Sequence, residues 1–273
     1  MINRLHRGRA MKVAPLAIGL LAIGLAVRAQ TPAQSVEHAR DGGTVTTLQS
    51  IDVVPLVNAP FSAEVNTEWT TILADGSSAT VWNRRTVARD STGRTFQERR
   101  FFSANGNTEQ PGLRSLEYAD PNRHEFYNCI VAEKTCYLTK YLRPALQLMA
   151  AGIGGLELCG CASPQNAGVT ITHEALGQKT VEDVEATGSR EVTTLAAGKF
   201  GNEKAQPVVK EFWYSPRLGL NLITKRFDPR SGVQNFVVAK LSLNEPDPNL
   251  FQPPAEYQVV RQVVERPGIA QAK

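Results

Sequence analysis

Hydrophobic and polar residues alternate along the chain from residue 61 onward, and this alternation predicts β-strands. In the first such stretch the apolar residues share one parity and the polar residues share the other. The two sets are Phe61, Ala63, Val65, Trp69 and Leu73 on one side, and Ser62, Glu64, Asn66, Glu68 and Thr70 on the other. Successive side chains of a strand point to opposite faces, so this period of two predicts a strand with one buried and one wet face.

Turn signals divide the rest of the chain into further strands. Gly76 follows Asp75 in a hairpin-type turn, and similar turns lie at 90–93 and 228–232. The predicted strands after the first are 79–88, 94–102, 115–118, 124–130, 135–140, 178–181, 184–195, 208–214, 218–227 and 233–243, with a short edge strand near Tyr257. Hairpins that follow one another without helix-length crossovers predict an antiparallel meander. The fold class is therefore mainly β, or α+β if helices are added.

One segment, 141–158, breaks the strand pattern. Its apolar residues recur at spacings of three and four, as Leu142, Leu146, Met149, Ile153 and Leu156. This spacing predicts a helix with one apolar stripe. The favoured interpretation is a core helix packed on the sheet. The functional alternative is a movable lid over an apolar cavity, in which Leu142, Leu146, Met149 and Ile153 would contact a ligand.

The N-terminus has the pattern of a secretory signal peptide. Arg4, Arg7, Arg9 and Lys12 precede the 15-residue apolar run 13–27, and a small-residue cleavage site lies near Ala29. A basic region, an apolar run and such a site predict a Sec-type signal peptide and a periplasmic or secreted protein. The alternative is a membrane anchor, but a spanning helix needs about 20 apolar residues.

These patterns predict the organisation of the whole chain. Residues 1–29 are the signal peptide, and 30–58 form a polar, flexible N-terminal segment. Residues 59–260 form a single antiparallel β domain with the helical insert at 141–158, and 261–273 form a disordered tail.

Loss of the leader changes the charge balance. The whole chain has 30 basic and 26 acidic residues, for a formal net charge of +4. Five of the basic residues and none of the acidic ones lie within 1–29, so 25 and 26 remain after cleavage. No basic excess then favours nucleic acid or anionic lipid headgroups as partners.

Four cysteines lie in the predicted domain, and an even number in an exported chain favours disulfides. Cys129 and Cys136 flank a predicted turn and could bridge a hairpin. Alternatively, each could pair with one of Cys159 and Cys161, which are too close together to bond each other easily. A four-thiolate zinc site is the third possibility, although its usual spacing of two C-x(2–4)-C pairs is absent.

No motif in the sequence predicts catalysis. His173-Glu174 and His124-Glu125 begin like a zinc-protease H-E-x-x-H helix, but Gly177 and Asn128 occupy the place of the second histidine. There is no P-loop and no G-x-S-x-G sequence. We therefore predict that the protein is not an enzyme and needs neither a cofactor nor a metal.

Two pairs of adjacent arginines lie in predicted strands. Arg84-Arg85 and Arg99-Arg100 each divide between the two faces of their strand. The favoured interpretation places both pairs at the sheet surface. An inward-facing arginine would need a partner and could bind a carboxylate or phosphate group.

Three stretches resemble a known family. LGQKTVEDVEATG at 176–188 resembles the G-x-x-x-V-x-G-V hairpin of the periplasmic lipoprotein-carrier superfamily, the LolA-like and LppX-like proteins, with Asp183 in place of the second glycine. Residues 211–232 resemble the strand pair that follows in that family. Residues 246–260 resemble its closing F-x-x-P-x-G-Y segment, with Glu256 replacing glycine. Uncharacterised secreted proteins of acidobacterial type look similar as well.

The resemblance implies a fold and a ligand class. It implies a curved antiparallel sheet, or incomplete β-barrel, with one or two helices plugging its concave face. It also implies binding of a lipid, lipoprotein or other apolar ligand there, which needs only a dry cavity and a movable cover. The family's ligand-contacting residues do not map onto this chain. The alternative function is a structural or protein-interaction role in the envelope without a small ligand.

Overall fold

The computed structural model describes residues 51–140, 168–199 and 201–262. These residues form thirteen strands and two one-turn 3-10 helices, Val131–Glu133 and Pro248–Phe251. The strands are β1 (Phe61–Ile72), β2 (Ser78–Arg89), β3 (Thr95–Arg100), β4 (Ser103–Ala104), β5 (Leu113–Asp120), β6 (Glu125–Ile130), β7 (Thr135–Lys140), β8 (Val169–Val181), β9 (Val184–Leu195), β10 (Gln206–Ser215), β11 (Leu220–Asp228), β12 (Gly232–Ser242) and β13 (Gln258–Gln262). In this part of the chain no helix is long and apolar enough to cross a bilayer.

The strands form one curved, unclosed sheet, which confirms the predicted fold class. Their order is β13-β7-β6-β5-β3-β2-β1-β12-β11-β10-β9-β8, and β4 pairs with β2 beside this path. Every described pair of neighbouring strands is antiparallel except β13 and β7, which run parallel to each other. The predicted plugging helix, 141–158, lies outside the described residues.

The end strands of the sheet show where alternation is a weak signal. β8 begins at Val169, whereas the sequence predicted a strand only from Gln178. Most side chains of β8 are exposed on both faces at the sheet edge, so no apolar parity marks its first half. The edge strand expected near Tyr257 is present as β13, and it continues two residues into the segment predicted to be a disordered tail.

Residues directly opposite each other on paired strands share a face of the sheet. Val65 lies opposite Arg85 on β2 and Val238 on β12, while Asn66 lies opposite Arg84. We call the face that carries Val65 the inner face and the face that carries Asn66 the outer face.

A hydrophobic core covers the lower half of the inner face, where β1 begins and β2 ends. Its buried members include Phe61, Ala63, Val65, Val87, Val184, Ala186, Leu218, Leu220, Leu222 and Val238, and it reaches Phe236 in the upper half of the face. Ile51 and Val53 belong to this core and are almost fully buried. This part of the segment predicted to be flexible is instead packed on the sheet, because its own apolar side chains cover the inner face.

A second core lies on the outer face beneath β3, β5, β6 and β7. Phe96 and Tyr118 pack there with their ring centroids 5.3 Å apart and their planes tilted by 43°, and Phe251 of the closing segment packs against the same cluster. Burial raises the pKa of Tyr118 to about 12, with smaller contributions from nearby acidic groups. The sheet is therefore covered on opposite faces in its two halves.

The structure decides between the disulfide pairings that the sequence left open. Cys129 and Cys136 lie directly opposite each other on β6 and β7 and are bonded. Both are fully buried in the second core. Neither is then available to Cys159 or Cys161, which lie outside the described residues, nor to a four-thiolate zinc site.

Removal of this disulfide is expected to destabilise the second core. The double variant Cys129→Ala/Cys136→Ala should unfold with a free energy lower by about 2–3 kcal/mol, the loop-closure value for so short a loop. Urea denaturation followed by circular dichroism measures the difference, with Cys159→Ala/Cys161→Ala as the matched pair. A loss no larger than that of the matched pair would show that the hairpin bridge contributes little.

Candidate functional site on the inner face

Arg89 fills the lower end of the inner face and holds the N-terminal segment there. Its side chain is 0% exposed. It donates hydrogen bonds to the carbonyl oxygens of Val54 at 2.9 Å, Ala59 at 2.8 Å and Leu218 at 2.6 Å. The guanidinium also lies 5.0 Å from the Phe61 ring centroid. Burial lowers the pKa of Arg89 to about 10, which leaves it charged at neutral pH.

Arg85 is the second buried arginine of the inner face. It donates to Gln97 Oε1 at 3.1 Å and to the carbonyl oxygen of Ile51 at 2.5 Å. Burial, followed by the charge of Arg99, lowers its pKa to about 9. The favoured surface interpretation is wrong for this residue, because β2 directs Arg84 outward and Arg85 into the core.

The other arginine pair is engaged by carboxylates. Arg99, on the inner face, bonds Glu117 through two nitrogens at 2.9 and 2.8 Å. Arg100, on the outer face, bonds Glu98 at 3.0 Å through two nitrogens. Such two-point pairs satisfy the charge of each guanidinium. The hypothesis of a carboxylate or phosphate site at these arginines therefore gains no support.

A row of buried side chains crosses six strands in the upper half of the inner face. Phe236 lies opposite Thr67 and Thr224, and the same register continues to both sides. The row runs from β9 to β2 as Ser189, Phe212, Thr224, Phe236, Thr67 and Asn83, and we call it the inner row. All six residues are between 1% and 7% exposed.

The inner row places phenyl rings beside polar atoms that have no hydrogen-bond partner among the described residues. These atoms are Ser189 Oγ, Thr224 Oγ1 and Asn83 Oδ1. Three further buried atoms of this kind are Asn128 Oδ1, Ser215 Oγ and Arg226 Nε. Most buried polar atoms in proteins are bonded, and each that is not costs about 1–3 kcal/mol. The inner row can therefore hydrogen-bond a polar group while its rings contact an apolar one.

The candidate residues from the sequence analysis are not members of the inner row. Leu142, Leu146, Met149 and Ile153 lie outside the described residues. His173 lies on β8, where its neighbour Glu174 forms an ion pair with Arg190 at 2.8 Å. Over 51–140, 168–199 and 201–262, no group of three or more His, Cys, Asp or Glu side chains is placed to hold a metal.

Sequence reasoning missed the inner row, although one signal for it was present. Thr67 has the parity of Val65 and Trp69, so it is a polar residue in an apolar series. The partners of Thr67 become visible only through the strand register, which brings together residues up to 169 positions apart in the chain.

Comparisons with known proteins find only solved structures of low similarity among the matches described below. No protein-family model and no curated protein matches the chain. An uncharacterized conserved protein from Thermus thermophilus is 12% identical, with a TM-score of 0.35 over 75% of this chain and 91% of that one.

Two further solved structures belong to the classes that the sequence motifs resemble. A LolA superfamily protein from Nitrosomonas europaea is 9% identical, with a TM-score of 0.28 over 73% of this chain and 92% of that one. The Mycobacterium tuberculosis lipoprotein LppX is 16% identical, with a TM-score of 0.23 over 67% and 89%. At TM-scores this low, the similarity supports no conclusion about activity or ligand.

Proposed function

We propose that the protein binds an amphipathic, largely apolar ligand of the lipid class on the inner face of its sheet. The binding site is the inner row. After export to the periplasm or beyond, the protein acts as a carrier or sensor of this ligand and not as an enzyme.

The observation that carries the proposal is the mixed character of the inner row. An entirely apolar row would serve as core, and a fully hydrogen-bonded polar row would serve as a structural network. Phe212 and Phe236 instead alternate with the hydroxyls of Ser189 and Thr224, whose oxygens are buried without hydrogen-bond partners. A ligand with a polar linkage beside hydrocarbon would satisfy those atoms and contact the rings.

The location of the site follows from how the rest of the inner face is used. Ile51 and Val53 cover the lower half, and Arg89 fixes the chain that follows them. A ligand is therefore excluded from that half by the protein's own side chains. The proposed site is the inner row, in the other half of this face.

The helix predicted at 141–158 supplies the cover in this proposal. Its apolar stripe would face the ligand, with Leu146 and Met149 near its centre. A charged side chain at either position would be buried against hydrocarbon, which is costly. The leader and the apolar stripe thus support the same function from the sequence.

Uptake of a fluorescent phospholipid tests the proposal. We expect saturable uptake by the wild-type protein, displacement by unlabelled phospholipid, and at least fivefold weaker uptake by Leu146→Asp and Met149→Asp. Ile171→Asp is the matched control, since Ile171 is an exposed apolar residue on the edge strand β8. Circular dichroism checks that the sheet is retained in all three variants.

Two outcomes would contradict the proposal in different ways. Absence of uptake by the folded wild-type protein would remove the lipid-binding function and favour an envelope interaction protein. Uptake that survives both charged substitutions would retain lipid binding but remove the helix as its cover.

A further inference from the structure

A polar pocket of about 570 Å³ opens at β1 and β2 on the outer face of the sheet, and Thr67 and Asn83 of the inner row border it as well. Its floor is formed by two stretches in register, in which Asn66 lies opposite Arg84 and Glu68 lies opposite Trp82. These four side chains lie on the outer face. Thr67 and Asn83 have the opposite parity and direct their side chains to the inner face, so the pocket and the proposed lipid site share these two strands and lie on opposite faces of the sheet.

The wall of the pocket is the segment 105–108, which backbone and side-chain hydrogen bonds hold against β2. Just before it, β4 pairs with β2. The Asn105 backbone N–H donates to the carbonyl oxygen of Thr80 at 2.9 Å, and Trp82 Nε1 donates to the carbonyl oxygen of Asn107 at 3.2 Å. Gly106 has a φ of +95°, which allows the tight turn between them. The wall is therefore tied to the indole that forms part of the floor.

The side chains that line the pocket combine one aromatic ring with many hydrogen-bonding groups. They are Asn66, Glu68, Trp82, Arg84, Asn105, Asn107 and Thr108. Amides, a carboxylate, a guanidinium and a hydroxyl supply both donors and acceptors. Arg84 Nε donates to Asn66 Oδ1 at 3.1 Å, which orients the amide nitrogen of Asn66 and leaves the terminal nitrogens of Arg84 for other acceptors.

The charges of the pocket disfavour an anionic or hydrocarbon ligand. Arg84 is balanced by Glu68 in the lining and by Glu64, whose carboxylate lies 3.5 Å from Arg84 Nε. An anion would face these carboxylates, and an acyl chain would leave the amides and charged groups without hydrogen bonds. A neutral ligand with many hydroxyl or amide groups matches the lining.

We infer that this pocket binds a neutral saccharide. A pyranose ring has an apolar C–H face and a rim of hydroxyl groups. The C–H face would stack on the Trp82 indole, which presents an apolar ring beside a fixed N–H. The hydroxyl groups would hydrogen-bond Asn66, Glu68 and Arg84. The pocket volume lies within the range of about 300–1,000 Å³ that is usual for small-molecule sites.

This site extends the proposed function and does not depend on it. The inner face would hold an apolar ligand while the outer face contacts a glycan, so each site can be lost without the other. An exported protein with such a pocket could be retained at an envelope polysaccharide.

Titration followed by heteronuclear NMR tests the inference directly. The chain has three tryptophans, so its indole N–H signals can be assigned from the loss of one signal in Trp82→Phe. The probes are N,N′-diacetylchitobiose, cellobiose and maltose at millimolar concentration. We expect at least one of them to shift the Trp82 signal saturably while the signals of Trp69 and Trp213 remain in place.

Substitutions in the floor of the pocket provide the second measurement. Asn66→Ala removes a hydrogen-bonding side chain and should weaken binding about fivefold. Asn235→Ala is the control, because Asn235 lies opposite Glu68 on β12 but does not line the pocket. The inference is overturned if no sugar moves the Trp82 signal, or if Asn66→Ala binds as tightly as the control.

Discussion

Arg89→Met is expected to lower the free energy of unfolding by about 3–5 kcal/mol. The substitution removes the donor from the carbonyl oxygens of Ala59 and Leu218, whose hydrogen bonds are buried, and of Val54, whose hydrogen bond is part-buried. Each unpaired carbonyl costs about 1–3 kcal/mol, and release of the buried guanidinium offsets part of the total. Methionine retains most of the apolar volume, so the loss reports on the hydrogen bonds.

Urea unfolding monitored by circular dichroism gives the size of this effect. Arg84→Met is the matched control, because Arg84 lies on the outer face of the same strand and its ion pair with Glu64 is solvent-exposed. An exposed pair contributes under about 1 kcal/mol. Hydrogen exchange should also rise in the segment 51–59 of Arg89→Met. Equal stability of the two variants would show that Arg89 does not hold this segment.

Removal of two unpartnered hydroxyls from the inner row should weaken lipid binding roughly tenfold to a hundredfold. The double variant Ser189→Ala/Thr224→Val deletes Ser189 Oγ and Thr224 Oγ1 while leaving the row closely similar in shape. The proposed ligand would lose two hydrogen bonds, each worth about 0.5–1.5 kcal/mol. Binding is measured with the same fluorescent phospholipid.

The same substitutions should not destabilise the ligand-free protein. Because the two hydroxyl oxygens are buried without hydrogen-bond partners, their loss relieves a desolvation cost, and we expect unchanged or higher stability. Thr80→Val is a control for which the expected change in stability has the opposite sign. Thr80 Oγ1 lies 2.8 Å from Thr70 Oγ1, so its removal breaks a hydrogen bond and should lower stability without affecting lipid binding. A double variant that binds lipid like wild type would remove the inner row as the site.

Alternation along the chain predicted most of the sheet because one face of each central strand is buried and the other is wet. The parity of β1, with Val65 inward and Asn66 outward, is the clearest case. The same signal failed for the first half of β8, where an edge position leaves both faces exposed. It also failed at Arg85, because an odd or even position predicts which face a side chain lies on but not how deeply that face is buried.

The candidate sites depend on contacts that are distant in sequence. The inner row and the outer pocket both need the register between β1 and its neighbours, which alternation alone does not specify. The bond between Cys129 and Cys136 is a local exception. The predicted hairpin already placed these residues on neighbouring strands, and the register made them direct partners.

Native mass spectrometry of the mature protein, purified from the compartment to which it is exported, tests lipid binding most directly. We predict a population heavier than the calculated mass of the cleaved chain, with the excess released as a lipid on activation. The Ser189→Ala/Thr224→Val variant should carry less of it. A wild-type protein found entirely at its bare calculated mass would contradict the proposal that the inner face holds a lipid.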